Sequence, residues 1–234
     1  EWVMSRIDLD QNATTAPDPA VVQAMLHVLE TTHGTPSSLH WFGQQARAVV
    51  EEARADVAAL VGGTAAEIVF TGSGTEADNA ALRGVAGATR GERRKILCSA
   101  IEHHAVIRCA AGLAEEGLPV EVVRVRGDGR LDLDDLAARL DGQTALVALM
   151  LANNETGVIQ PVAEAAQRVH ARGGLLVCDI APAAGRMRVE IAALGADLIA
   201  FSAHKIGGPS GVGALVRATD AIHVDAQVRG GGQE

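Results

Sequence analysis

From about residue 64 onward, short apolar runs alternate with stretches in which apolar residues recur at roughly helical spacing. Strands separated by crossover helices produce this rhythm, and such units assemble into a parallel sheet covered on both faces. The runs at residues 67–70, 95–98, 120–123, 145–149, 175–178, 198–201 and 212–215 predict seven strands. Most are apolar throughout instead of alternating with polar residues, as strands buried on both sides are. The expected fold class is α/β: a mostly parallel seven-stranded sheet flanked by helices, in three α/β/α layers.

Two helices are predicted ahead of the sheet. Asp18 followed by Pro19 supplies a cap and a first-turn proline for one of them. Ser37 and Ser38 can cap a longer one in which Ala46, Val49, Val50, Ala53, Val57 and Leu60 share a face, and Gly62-Gly63 closes it. There is no internal repeat, low-complexity tract or long linker. Only the last stretch, Arg229-Gly230-Gly231-Gly232-Gln233-Glu234, reads as irregular loop, and a chain ending there is expected to be part of a longer protein.

Composition narrows the function. A chain of 234 residues, 48% of them hydrophobic, can bury one large core. A net charge of -9 and a pI near 5.4 argue against a nucleic-acid or anionic membrane surface as the main partner, since either calls for a basic face. Small-molecule chemistry is favoured instead. Cys98, Cys109 and Cys178 show no close pairing and read as reduced structural thiols, with neither a disulfide framework nor a metal site expected. No apolar stretch reaches the length of about 18 residues that a membrane span needs, and no signal peptide is recognised, so a cytoplasmic location is expected.

In open α/β sheets ligands gather beyond the carboxyl ends of the strands, so the residues following each predicted strand belong to one candidate site. The most informative is Ser202-Ala203-His204-Lys205, between an apolar run and the glycine-rich Gly207-Gly208-Pro209-Ser210-Gly211. A lysine just past a buried strand suits a reactive amine that forms a Schiff base with a carbonyl cofactor, pyridoxal 5'-phosphate (PLP). Ser202 and His204 flank it with groups able to donate to a phosphate. Thr71-Gly72-Ser73-Gly74-Thr75-Glu76 opens a helix and can receive a phosphate on backbone N–H groups, though such turns are also ordinary loops. Glu102-His103-His104 offers an imidazole that can lie on a cofactor ring, or simply a polar helix start. Asn153-Asn154-Glu155-Thr156-Gly157 offers an amide, or a plain turn. Asp179, ending a buried strand, needs a positive or donating partner; a protonated pyridine nitrogen, a salt bridge or a helix cap would each serve.

Taken together and in order, these segments resemble the cysteine desulfurases and their relatives among the class V aminotransferase-like PLP enzymes of fold type I. The blocks that carry the resemblance also include Leu9-Asp10-Gln11-Asn12-Ala13-Thr14-Thr15, His33-Gly34-Thr35-Pro36-Ser37-Ser38-Leu39-His40 and Gly230-Gly231-Gly232-Gln233-Glu234. The resemblance implies a fold type I PLP-transferase large domain over residues 17–234, preceded by a segment, residues 1–16, that lines the substrate pocket, with the small C-terminal domain absent. It implies that Lys205 carries the cofactor and moves protons, and that Asp179 holds the pyridine nitrogen. His103 would stack on the ring and act as acid or base. Gly74, Thr75, Ser202 and His204 would form the phosphate cup. Asn154 would approach the ring oxygen and the substrate carboxylate, and Asn12, Ala13 and Thr14 would line the substrate pocket.

The implied reaction converts L-cysteine to L-alanine, with sulfur passing through an enzyme persulfide to an acceptor such as an iron–sulfur scaffold protein. The implied assembly is a homodimer. Two departures from the family pattern stand out. Pro182 occupies the position where a glutamine usually touches the ring oxygen, and neither the persulfide-forming cysteine nor the carboxylate-binding arginine of the family has a counterpart in the chain. A selenocysteine lyase, a transaminase or an epimerase therefore remains an alternative, as does a PLP-binding fragment without turnover.

Overall fold

The computed structural model describes residues 7–89 and 93–231; Gly232-Gln233-Glu234 of the last matched block and residues 1–6 of the proposed pocket segment lie outside them. Seven strands form one sheet: β1 (Ile68–Thr71), β2 (Lys95–Ser99), β3 (Val120–Val123), β4 (Thr144–Ala148), β5 (Leu175–Asp179), β6 (Leu198–Ser202) and β7 (Gly213–Arg217). Their order across the sheet is β1-β7-β6-β5-β4-β2-β3. All neighbouring pairs are parallel except those that β7 makes with β1 and β6. Six strands thus end at the same edge and β7 alone starts there. The predicted runs coincide with these strands to within two residues at either end.

Both faces of the sheet are dry, which explains the continuous apolar runs. Leu97, Val147, Leu176 and Ile199 point into one core, where they meet α2 (Trp41–Val61), α5 (Leu133–Arg139), α6 (Val162–His170) and α7 (Ile191–Leu194). Ile96, Leu146, Val177 and Leu198 point into the other, against α3 (Gly74–Ala88) and α4 (His104–Glu115). Neighbouring residues along each strand therefore serve opposite layers, giving the expected α/β/α sandwich.

The N-terminal helices depart in part from the sequence pattern. For α1 (Pro19–Thr31) the Asp18 carboxylate caps as expected, accepting from Ala20 N at 2.8 Å. The cap of α2 is His40, whose Nδ1 accepts from Gly43 N at 3.3 Å, and not Ser37 or Ser38. Ser38 N is already engaged in a turn with Thr35 O. Gly62 does close α2, at φ 68°, where a side chain would be strained. Of the predicted face, Ala46, Val49, Val50 and Val57 are half-buried, whereas Ala53 and Leu60 are exposed. The helix meets the sheet core through Ala58 and Val61 near its C-terminus, while Gly43 and Arg54 are its other buried positions.

Close approach at the common strand edge depends on Gly213. It pairs with Thr71 on one side and Ser202 on the other, directly under the turn that starts α3. A Cβ at this position would lie 2.6 Å from the Ser73 carbonyl oxygen and 2.8 Å from Gly74 N. Gly213→Ala is accordingly expected to push this turn off the sheet and lower stability by about 1–3 kcal/mol, as overpacking does. Denaturant unfolding checks this, and an unchanged midpoint would contradict the close packing described.

Candidate active site

Five segments at the common edge surround a single open pocket, with about 490 Å³ of empty space including the part open to solvent. Ser73, Gly74 and Thr75 line it from the start of α3, His103 from the start of α4 and Asn154 from the turn after β4. Asp179, Ala181 and Pro182 line it from β5 and its continuation, and Ser202, His204 and Lys205 from β6 and its continuation.

The α3 turn is shaped to leave donors free. Ser73 Oγ accepts from Glu76 N at 3.0 Å, and Glu76 reaches back to Gly72 N at 2.8 Å. This cap uses neither Gly74 N nor Thr75 N, so the first turn of a 15-residue helix presents N–H groups and its positive end at the pocket. Gly74 is needed for this approach, because a Cβ there would lie 3.2 Å from Ser202 Cβ. Asn153, next to Asn154, is structural: its Oδ1 accepts from Glu155 N and Thr156 N, and its Nδ2 donates to Ile101 O.

Lys205 and Asp179 form the charged centre. Asp179 is 5% exposed, and its Oδ1 accepts from Ala181 N at 2.8 Å. Burial pushes this carboxyl up to about 6, while the Ala181 amide and the Lys205 ammonium pull in the other direction. Burial also lowers the Lys205 amine, helped by the Arg186 charge and opposed by Asp179 and Asp10. His103 caps α4 by accepting from Ala105 N on Nδ1, at 3.2 Å. Burial and the charge of Lys205 hold both His103 and His204 below the usual imidazole range, so each is neutral at neutral pH.

The chain N-terminal to α1 folds back over this centre. Lys205 Nζ donates to Asn12 O at 2.6 Å, and Asn12 Nδ2 donates to Asn154 O. Thr14 Oγ1 and His204 Nδ1 lie 3.1 Å apart. Thr15 N donates to His204 O at 2.8 Å, and Arg186 holds Gln11 O at 2.8 Å. Asn12 and Thr14 are thus tied to the lysine and its neighbour across some 190 positions of sequence. These three residues, Ala13 among them, are not in the pocket wall itself.

Two acids that sequence reasoning did not single out belong to this site. Asp78, 3% exposed, lines the pocket from α3, and its Oδ1 is buried without a hydrogen bond. Its signal was the one acid on an otherwise small, apolar face of that helix, among Ala77, Ala81 and Leu82. Glu102 is not the exposed acid of a helix start: it is 6% exposed, and its Oε1 accepts from Met150 N at 2.9 Å and from Ser99 Oγ. It clamps the end of β2 to the residues after β4. The three cysteines are all buried, and burial raises each thiol.

Site and sheet together define a fold type I α/β protein with a lysine-centred pocket at the strand ends. The chain belongs to the aminotransferase class-V family, whose pattern it matches over residues 7–234. It is 45% identical over 212 residues to a cysteine desulfurase of Trichormus azollae, which covers 91% of this chain and 53% of that protein. Among solved structures, a NifS-like protein superposes with a TM-score of 0.94 at 35% identity, covering 98% of this chain and 63% of the other. SspA in complex with cysteine superposes with a TM-score of 0.90 at 25% identity, covering 95% and 65%. The chain spans about half the length of the curated relatives it matches.

The buried Glu102 makes stability depend on pH. Burial and the nearby Asp179 push it up to about 7 from an ordinary 4.5, against the two hydrogen bonds it accepts. Below about 4.5 it is protonated folded and unfolded alike; as pH rises towards 7 the unfolded chain ionises first. Stability should therefore fall across that window, by roughly 3 kcal/mol from this residue. Glu102→Gln is expected to reduce the slope, leaving the share due to Asp78 and Asp179, whose carboxyls burial also raises. Unfolding curves at several pH values test this, and an unaltered slope would contradict it.

Proposed function

We propose that this chain is the cofactor-binding part of a PLP-dependent cysteine desulfurase. The observation that carries the reading is Lys205 and Asp179 facing one pocket from adjacent strands, opposite a helix N-terminus with free N–H groups. The residues fit PLP. Gly74 and Gly213 let the α3 turn sit close against β6 and β7, the α3 end suits an anion, and the Asp179 carboxylate suits a cationic ring nitrogen. When bound, PLP supplies a carbonyl for the amine and a ring that takes up electrons released at the substrate α-carbon.

In this reading Gly74 N, Thr75 N, Ser202 and His204 hold the phosphate. Asp179 keeps the ring nitrogen protonated. His103, neutral and with Nε2 free of the α4 cap, packs against the ring and exchanges a proton there. Asn154 orients the ring oxygen and the substrate carboxylate, while Asn12 and Thr14, outside the pocket wall, fasten the N-terminal segment to Lys205 and His204. The Lys205 amine, its proton affinity lowered by burial, would hold the cofactor at its carbonyl and is placed to carry a proton to and from the α-carbon of a bound substrate. Residues 1–16 act as the pocket segment and residues 17–234 as the large domain.

The substrate L-cysteine, with alanine and sulfur as products, is supported by the desulfurase relative and by the cysteine-bound SspA structure. Cys98, Cys109 and Cys178 are buried, and their raised thiols are poor nucleophiles, so none of them is the thiol that takes the sulfur. An iron–sulfur scaffold as acceptor, a homodimeric assembly and a cytoplasmic location complete the reading. No described helix is long and apolar enough to cross a membrane. Pro182 in the pocket wall favours a second reading, a class V enzyme acting on another amino acid, because it offers no side-chain donor to the ring oxygen.

Borohydride reduction should fix PLP to the native chain and not to Lys205→Ala; equal trapping in the variant would remove Lys205 from its role. Product analysis of the full-length gene product separates the two readings. With an added thiol reductant to release the persulfide sulfur as sulfide, sulfide and alanine in equal amounts are expected from cysteine, whereas a keto acid or an inverted amino acid would favour the second.

A further inference from the structure

Three buried carboxyl groups from three different elements gather at the pocket, Asp78 and Asp179 in its wall and Glu102 behind it. Asp179 ends β5, Asp78 faces inward from the second turn of α3, and Glu102 sits in the loop between β2 and α4. All are at most 6% exposed. Asp78 Oδ1 and Glu102 Oε2 are buried and accept no hydrogen bond. An ionised carboxylate with a bare oxygen in a dry site is among the least favourable states a side chain can adopt, and three in one place repel each other as well.

The surroundings of Asp78 offer no remedy by charge. The groups that act on it are Asp179 and Glu102, and it in turn raises the Cys109 thiol of α4 and the Cys178 thiol of β5. Arg83, the cation further along α3, is engaged with Glu116 and Cys109. Lys205 acts on Asp179. A proton on Asp78 resolves the conflict, and burial with its acidic neighbours drives its carboxyl well above the usual range.

We infer that Asp78 is a positioning residue that retains a proton in the site, so that Asp179 alone presents a negative charge to the pocket. This rests on the reading of the pocket as a PLP site and extends it: the pocket is matched to a ligand ring bearing one positive charge, a protonated pyridine nitrogen. With Asp78 ionised as well, two carboxylates would face that one ring nitrogen from the pocket wall. Glu102 adds no lasting charge below about 7.

Infrared spectroscopy reads the proton directly, through the carbonyl stretch of a protonated carboxylic acid. The measurement is made on the chain before PLP is added, at mildly alkaline pH, where Asp179 is ionised. Isotope-labelled aspartate separates the band from that of Glu102. An aspartic-acid band is expected in the native chain, lost in Asp78→Asn and retained in Glu102→Gln. In Asp179→Asn the pH at which the band disappears should fall by about one unit or more, because the charge that holds the proton has gone. Absence of the band in the native chain, or its persistence in Asp78→Asn, would overturn the inference. Should Asp78→Asn not fold, the native spectrum and the shift in Asp179→Asn still decide it. Failure to bind PLP would refute the pocket assignment without altering the infrared result.

Discussion

Asp179 ends a strand that lies dry on both faces, and its carboxylate has one backbone donor and one cation to answer it. Much of the site follows from that exclusion of water. The same desolvation that pushes Asp179 up also lowers Lys205, neutralises His103 and His204, and makes Asp78 and Glu102 reluctant to ionise. A lysine amine of reduced proton affinity beside a carboxylate of raised affinity is a pair poised to exchange protons with a bound molecule. The chemistry is thus a property of the sheet's burial before it is a property of any one residue.

Packing sets how near these groups come. The six strands that end at one edge deliver their following residues to the same rim, and the reversed β7 starts there with a glycine. The absent side chains at Gly74 and Gly213 bring the α3 N-terminus against β6 and β7. Small residues continue the fit, since Ala77 and Ala81 of α3 are fully buried against the sheet. The helix dipole and the lysine then act on one small volume in which each reinforces the hold on an anion.

The segment before α1 contributes in another way. Its backbone carbonyl at Asn12 receives the Lys205 ammonium, and Thr15 bonds to both sides of the following loop, at His204 O and Gly207 N. The lysine is consequently held between the N-terminal segment and the end of β6, with Arg186 steadying the segment at Gln11.

Much of this was open to reading from the chain alone. Strand runs buried on both faces carry an unbroken apolar pattern, and residues after them collect at one edge by the rules of parallel sheets, so Lys205, Asp179, His103, Asn154 and the Gly74-Thr75 turn could be named in advance. Caps depend on local backbone geometry and are less legible: His40 took the place expected of Ser37 or Ser38 because Ser38 was already turned back to Thr35. The buried face of α2 depends on which of its turns meets another element, so Ala53 and Leu60 stayed exposed despite the periodicity. Glu102 read as part of a polar helix start and Asp78 was not singled out, since an acid has the same letter in water and in a core. Sequence periodicity determined the elements and their order, because it records which positions must leave water. Tertiary structure alone decided which polar groups left water with them, because desolvation and mutual charge arise only where distant segments meet.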